Sequence, residues 1–464
     1  MYHLQTHIHF MGIGGIGMSG IAKVLRQQGY IISGCDNNLD QTTTIRELIN
    51  LGCLISSVHC GTECNNSSIN YLIYSSAINR NHPEIVNAKN NGIKVVHRAE
   101  ILAELMKRKF SIAVGGSHGK TTTTSLISHI LLQGKIDPTV IIGGALKNLG
   151  SNAHLGKSDI MVVEADESDK SIEKLLPSIA LITNIDLEHL DVFNNIEDII
   201  NTFGKFINNL PFYGKVVICN DDANCQKLMK INQADYLTYG IDHNSYFMAK
   251  NIMLESNLSK YDLYIDNNFV SNIVLNIPGK HNILNSLGAI VVSTLLEIPE
   301  KIINESLVSF EGVERRFSLN GYYKGSAVFD DYAHHPTEIK ATIEMANLSV
   351  KNKLRVVFQP HRYTRTHHLW QEFIDVLTNC KIDELIITDI YSAGEKEIEN
   401  ITSQSLLAEI QVKNSNTKAT YLPAIDDFAL IKSYLNSSIE DGDLILILGA
   451  GKIYQLAKCL TSQN

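Results

Sequence analysis

Phe110-Ser111-Ile112-Ala113-Val114-Gly115-Gly116-Ser117-His118-Gly119-Lys120-Thr121-Thr122-Thr123-Thr124 is an apolar run that opens onto glycines, a lysine and a row of hydroxyls. It reads as a strand, a tight turn and the start of a helix. The strict phosphate-loop pattern needs glycine at position 114, where this chain has valine, so the loop is the shorter G-x-x-G-K-T from Gly116. Its mechanics survive. Backbone amides and a helix N-terminus cradle phosphates, Lys120 neutralises β/γ charge, and a hydroxyl of Thr121 or Thr122 reaches Mg²⁺. This predicts a nucleoside-triphosphate site at the edge of a parallel sheet.

Strand-length apolar runs alternating with amphipathic helical stretches continue on both sides of this segment, the pattern of α/β folds. Downstream lie strand candidates at 160–164, 180–183 and 216–219. The stretch 246–277 alternates apolar and polar residues and predicts antiparallel strands, followed by helices at 282–297 and 300–309. Upstream, the pattern starts with a strand at 7–12 and a helix at 18–28. Strands at 31–34, 71–75 and 93–95 and a helix at 99–107 follow. After Gly312 it restarts again, with strands at 327–329, 355–358, 384–388 and 444–448 and helices at 336–346 and 369–378.

Chemistry-bearing residues cluster just past these strands. Gly12-Ile13-Gly14-Gly15-Ile16-Gly17 is a G-x-G-x-x-G turn suited to a diphosphate, with Asp36 placed where a dehydrogenase would hold a cofactor ribose. Glu164-Ala165-Asp166-Glu167-Ser168-Asp169 gathers carboxylates that suit a cation; phosphate-bound Mg²⁺ takes one or two of them, and Glu164, nearest the strand, is the first choice. Thr183-Asn184-Ile185-Asp186-Leu187-Glu188-His189 offers His189 as a metal ligand or phosphate contact. Asp330-Asp331-Tyr332-Ala333-His334-His335-Pro336 and Gln359-Pro360-His361-Arg362-Tyr363-Thr364-Arg365 add histidines and arginines, whose forks suit carboxylate or phosphate.

The 464 residues are 44% hydrophobic and 19% charged, with formal net charge −9. A chain of this length holds about three domains. The composition excludes wholesale disorder, and the acidic balance argues against general nucleic-acid binding. No run approaches the ~18 apolar residues of a membrane-spanning helix. The eight cysteines are scattered and read as reduced thiols of a cytoplasmic protein. Cys60 and Cys64 have a C-x3-C spacing but lack the second pair of a structural zinc site.

The ordered set resembles the Mur ligases of peptidoglycan synthesis over essentially the whole chain. The resemblance runs through residues 12–20, His97-Arg98-Ala99-Glu100, 116–124, 164–169 and Pro278-Gly279-Lys280-His281-Asn282. It continues through Arg315-Arg316-Phe317, 330–338, 358–366, Tyr391-Ser392-Ala393-Gly394-Glu395 and Gly449-Ala450-Gly451. It departs at Lys170-Ser171-Ile172, where the family has a small residue and Ser-Phe, and at Asp186, where it has glutamate.

The resemblance implies a three-domain α/β ligase. A Rossmann-like domain (1–108) would hold UDP-N-acetylmuramate. A central P-loop-type ATPase sheet with an antiparallel addition (109–312) would hold ATP. A second Rossmann-like domain (313–464) would hold the amino acid and part of the nucleotide. The reaction implied joins L-alanine to the lactyl carboxylate of the sugar through an acyl phosphate; the alternative is the family member that attaches a recycled tripeptide.

Carried over by position, Gly116, Ser117, His118, Gly119, Lys120, Thr121 and Thr122 would bind ATP phosphates, with His281, Asn282, Arg316 and Asp331 on the rest of the nucleotide. Thr121, Glu164 and His189 would hold Mg²⁺. Gly14, Gly15, Gly17, Met18, Ser19 and His97 would face the nucleotide sugar. Tyr332 would lie on a substrate, and Arg362 or Arg365 would anchor a substrate carboxylate. His334, His335 and His361 are the candidates for deprotonating the amine. A monomer or homodimer is expected, without nucleic acid or membrane insertion. Two rival readings are an NAD-dependent dehydrogenase, which leaves the Lys120 loop unexplained, and a catalytically silent nucleotide-binding partner, which leaves Lys120, Glu164 and His189 unexplained.

Overall fold

The run that opens the phosphate loop becomes strand Phe110–Gly115, parallel to Ile160–Glu164 on one side and to Ile179–Ile182 on the other. Buried on both faces, such strands read as continuous apolar runs. The computed structural model describes residues 5–37, 43–56, 68–146, 150–414 and 418–462. Cys60 and Cys64 lie outside them. The other six cysteines are free thiols.

The central sheet has ten strands. Beyond Ile179–Ile182 it continues through Lys215–Cys219 and Tyr236–Gly240. The alternating stretch then forms Phe247–Leu254, Ser259–Ile265 and Asn268–Leu275, paired antiparallel as expected. The first of these runs parallel to Tyr236–Gly240. Alternation persists because one face packs in the core beneath helix Lys280–Leu295, with Phe247, Tyr261 and Leu275 among its buried residues. Strands Thr139–Leu146 and Ser151–His154 complete the opposite edge.

The N-terminal sheet has five parallel strands in the order Leu54–Ser56, Ile31–Cys35, His7–Met11, Ile69–Tyr74, Lys94–His97. The C-terminal sheet has six, in the order Ser318–Tyr323, Ser326–Asp331, Leu444–Leu448, Leu354–Phe358, Glu384–Ile387, Lys418–Tyr421. Only its first pair is antiparallel. The three-part α/β architecture is the one expected. Among the described residues no helix is long and apolar enough to cross a membrane.

Helix Ile16–Gln27, which follows the first glycine turn, packs on strands Thr139–Leu146 and Ser151–His154 of the central sheet. Asn152 Nδ2 donates to Ile16 O at 2.7 Å and to Ser19 Oγ at 3.0 Å. The buried Lys23 ammonium donates to Asn152 Oδ1 at 2.6 Å and pairs with Glu47. The first glycine turn is thereby fixed against the sheet that carries the second.

Candidate active site

The second glycine turn is built by close approach. Gly116 has φ +132°, and a Cβ there would stand 2.1 Å from Thr183 Oγ1. Gly119, at φ +80°, is the N-cap of helix Lys120–Gln133, and its missing Cβ makes room for Asn285 of helix Lys280–Leu295. The helix therefore starts with Lys120, and the Thr121 and Thr122 side chains are buried against its first turn. Lys120 Nζ folds over the loop, donating to Gly116 O at 2.5 Å and Ser117 O at 3.1 Å, and to Glu167 Oε1 at 2.8 Å. Burial opposes its charge, but Glu167 with Glu164 and Asp166 holds its pKa above the ordinary lysine value.

Glu167 also lies 3.7 Å from His189 Nε2, and Glu188 Oε2 is 3.6 Å from the same nitrogen. Ligand atoms of Glu167, Glu188 and His189 all fall within 4.8 Å of one another. Glu167 Oε2 and Glu188 Oε1 are buried without a hydrogen-bond partner. Hard oxygen donors with spare lone pairs beside a phosphate loop fit Mg²⁺. Glu188 is held down at about 2: burial opposes its charge, but the surrounding imidazoles of His118, His334, His335 and His189 outweigh it.

Glu164, the first choice from the sequence, lies close enough to Lys120 to favour its charge. Its Oε2 accepts from Gly143 N at 2.9 Å, and it belongs to none of the three metal-ligating groups among the described residues. The chain turns after Ala165 and brings Glu167 back to Lys120, so Glu167 and Glu188 join Glu164 and His189 as candidate ligands. The Lys170 ammonium, a departure from the family pattern, lies over the Phe193 ring at 5.0 Å.

His118 joins two domains. Its Nε2 is 3.1 Å from Asp186 Oδ2 and its Nδ1 is 3.3 Å from Glu338 Oε1, on helix Pro336–Asn347. Burial disfavours the imidazolium, but these two carboxylates raise its pKa to about 10. Thr337 Oγ1 donates to Asp186 Oδ2 at 2.9 Å, and His335 caps the same helix by accepting from Thr337 N. The His118 ring thus ties the phosphate loop to the C-terminal domain. Between the two domains lies a cavity of about 300 Å³, lined among others by Gly119, Thr122, His281, Asn282, Arg316 and Asp331. Both Asp331 oxygens accept backbone N–H groups, from Phe317 and Ala333, and burial lifts its pKa to about 6.

Past the neighbouring strand ends, His334 and His361 face each other with ring centroids 5.8 Å apart, and Tyr332 packs edge-on to His334. Burial lowers His334 to about 4 and His361 to about 3, with Arg365 contributing to both. Arg365 donates to His361 Nδ1 at 3.2 Å and approaches Glu188 to 4.0 Å, so it faces the carboxylate cluster. Arg362 lies between Glu395, at 3.1 Å, and Asp191, at 3.6 Å.

At the first glycine turn, Gly14 N donates to Asp36 Oδ2 at 2.8 Å, so Asp36 braces its own loop instead of awaiting a ribose. Gly14, Gly15 and Gly17 reach the surface, but Met18 and Ser19 are buried. Met18 enters the core, and Ser19 Oγ donates to Ile16 O and accepts from Asn152. Gly17 leaves room for Arg98, whose guanidinium pairs with Asp166 at 3.1 Å. His97 caps the following helix and lies 3.8 Å from Asp169.

Comparison with known proteins bears on this geometry. Three family profiles match in order: "Mur ligase family, catalytic domain" over residues 7–110, "Mur ligase middle domain" over 114–293 and "Mur ligase, glutamate ligase domain" over 315–451. The chain is 43% identical over 463 residues to a UDP-N-acetylmuramate–L-alanine ligase of Geotalea daltonii, covering 100% of this chain and 99% of the relative. The crystal structure of a UDP-N-acetylmuramate–alanine ligase (MurC) from Thermotoga maritima superposes with TM-score 0.81 at 27% identity, over 98% of both chains. A murein peptide ligase from Psychrobacter arcticus shares the fold at TM-score 0.72 and 22% identity, over 99% of both chains. With all three sheets in place and matched in order along its length, the chain belongs to the Mur ligase family.

Proposed function

We propose that the chain joins L-alanine to the lactyl carboxylate of UDP-N-acetylmuramate, coupled to cleavage of ATP, in peptidoglycan precursor synthesis in the cytoplasm. The observation that carries this reading is the loop at 164–169. Glu167 meets Lys120 of the phosphate loop, while Asp166 meets Arg98 and Asp169 meets His97 beside the first glycine turn. One short segment thus touches both glycine turns, which suits transfer from a triphosphate on one to an acid presented by the other. The domain division at 108 and 312 goes with this assignment of ligands, as do the nucleotide-sugar contacts of Gly14, Gly15, Gly17 and His97.

A carboxylate is a poor acyl donor because its leaving group is oxide. Phosphorylation by the γ-phosphate gives an acyl phosphate, which the amine attacks to form the amide and release phosphate. The first step brings two anions together. Lys120 and the amides at the helix start from Gly119 to Thr122 offset that repulsion. Glu167, His189 and Glu188, with the Thr121 hydroxyl, would hold Mg²⁺, which when bound supplies the remaining neutralisation. His281, Asn282, Arg316 and Asp331 line the cavity that takes the adenosine side. His334, whose Nδ1 donates to Tyr332 O, presents its Nε2 lone pair as the candidate acceptor of the amine proton, and His361 packs against it.

Phosphate release measured with UDP-N-acetylmuramate, L-alanine and ATP, omitting each in turn, tests the reading. Release is expected only with all three present. Release that ignores the omission of L-alanine, or a tripeptide accepted in its place at higher kcat/KM, would overturn it.

A further inference from the structure

The N-terminal sheet holds a second group of metal-ligating side chains, on a different sheet from the phosphate loop. His9 lies on strand His7–Met11, Cys35 ends the adjacent strand Ile31–Cys35, and Glu84 comes from the first turn of helix Pro83–Asn90. All three are sealed from solvent. His9 Nε2 is 3.2 Å from Glu84 Oε1, and Cys35 Sγ is 3.6 Å from each Glu84 oxygen. A tetrahedral zinc ion, with bonds of about 2.0–2.3 Å, sets its ligand atoms roughly 3.3–3.5 Å apart. The two edges that meet at Glu84 already have that size, and all three ligand atoms lie within 4.8 Å of one another.

A further observation points the same way. His9 Nδ1 is bonded to Ser33 Oγ at 2.8 Å, which fixes the ring and turns Nε2 toward Cys35 and Glu84, as outer partners of metal-bound histidines do.

We propose that His9 Nε2, Cys35 Sγ and the Glu84 carboxylate bind one thiophilic divalent cation of the zinc class, with water at the fourth corner. The Cys35 thiol gives its proton to the buffer and binds as thiolate. A thiolate and an imidazole select zinc-like ions over Mg²⁺, so this site does not compete for the metal of the ligase reaction. Cys35 O accepts from Gly12 N at 2.8 Å and Ile13 N at 3.1 Å, so a bound ion would also brace the first glycine turn from below.

The test is titration of metal-free, full-length protein with Co²⁺ as a spectroscopic stand-in for zinc. A thiolate-to-cobalt charge-transfer band that saturates at one equivalent and disappears in Cys35→Ser is the expected result. The Glu167–His189 cluster contains no thiol and gives no such band. Zinc is also expected to raise the unfolding temperature of the wild-type chain but not of Cys35→Ser. Where Cys35→Ser folds poorly, His9→Gln keeps the thiol and must weaken cobalt binding by about tenfold or more. Absence of the band in the wild type, its survival in Cys35→Ser, or unchanged affinity in His9→Gln would overturn the proposal.

Discussion

Lys120 Nζ donates to Glu167 Oε1 at 2.8 Å, so the cation that meets the triphosphate is held by a carboxylate of the proposed metal site. In the proposed reaction the Lys120 ammonium would turn to phosphate and the Glu167 carboxylate would help hold Mg²⁺. Lys120→Ala is expected to lower turnover by about 10²–10³-fold, the usual loss for a preorganised group facing developing charge. UDP-sugar binding should persist, because the first glycine turn is built on a separate sheet. Phosphate release and titration calorimetry measure the two; undiminished turnover would remove the loop from the reaction.

Two carboxylates three residues apart give the next comparison. Glu167 faces His189, whereas Glu164 is bonded to Gly143 N. Glu167→Gln should raise the Mg²⁺ concentration needed for half-maximal rate by about tenfold or more, and Glu164→Gln by much less. A Mg²⁺ titration of both variants decides it, and the reverse order would return Glu164 to the metal site.

The His118 latch makes stability depend on pH in a defined direction. Its folded pKa, about 10, lies above the ordinary 6.5. The stabilisation is therefore fully present below 6.5 and fades as pH rises through about 10. Thermal unfolding of the wild type should weaken progressively across that window, and His118→Gln should flatten this part of the profile. At neutral pH the variant should cost about 2–3 kcal/mol, less than a fully sealed pair, because Asp186 is 35% exposed. A wild-type profile that strengthens from neutral pH to pH 10 would contradict the latch.

How far the site could be read in advance follows from which signals are local. Strands such as Ile179–Ile182 and Leu444–Leu448 are short apolar runs, and Gly116, Gly119 and Lys120 announce a phosphate turn by spacing alone. Edge strands such as Leu54–Ser56 and Lys418–Tyr421 are partly solvated and carry no such run. The approach of Glu167 to Lys120 and His189 depends on how the chain turns after residue 165, which no local pattern announces. Met18 and Ser19 sit within a conspicuous glycine motif, yet their burial comes from packing on Asn152 and its neighbours, more than a hundred residues away. The His118–Glu338 contact is legible only once two domains are brought together.

The final prediction concerns the proton that L-alanine must lose. Burial lowers His334 to about 4 and His361 to about 3, so both rings are neutral and weakly basic at working pH. His361 Nδ1 accepts from Arg365, so the neutral ring carries its proton on Nε2 and has no lone pair there, whereas His334 Nδ1 donates to Tyr332 O at 3.0 Å and keeps its Nε2 lone pair for the substrate. Protonation of either ring would produce an acid limb near pH 4 or below, so limbs above about pH 5 in the kcat/KM profile for L-alanine must belong to other groups. His334→Gln and His361→Gln should therefore leave those limbs in place. The variant that removes the proton acceptor should lower kcat by about 10²–10⁴-fold. If a limb above about pH 5 vanishes in either variant, that imidazole titrates in the working range and the burial argument fails.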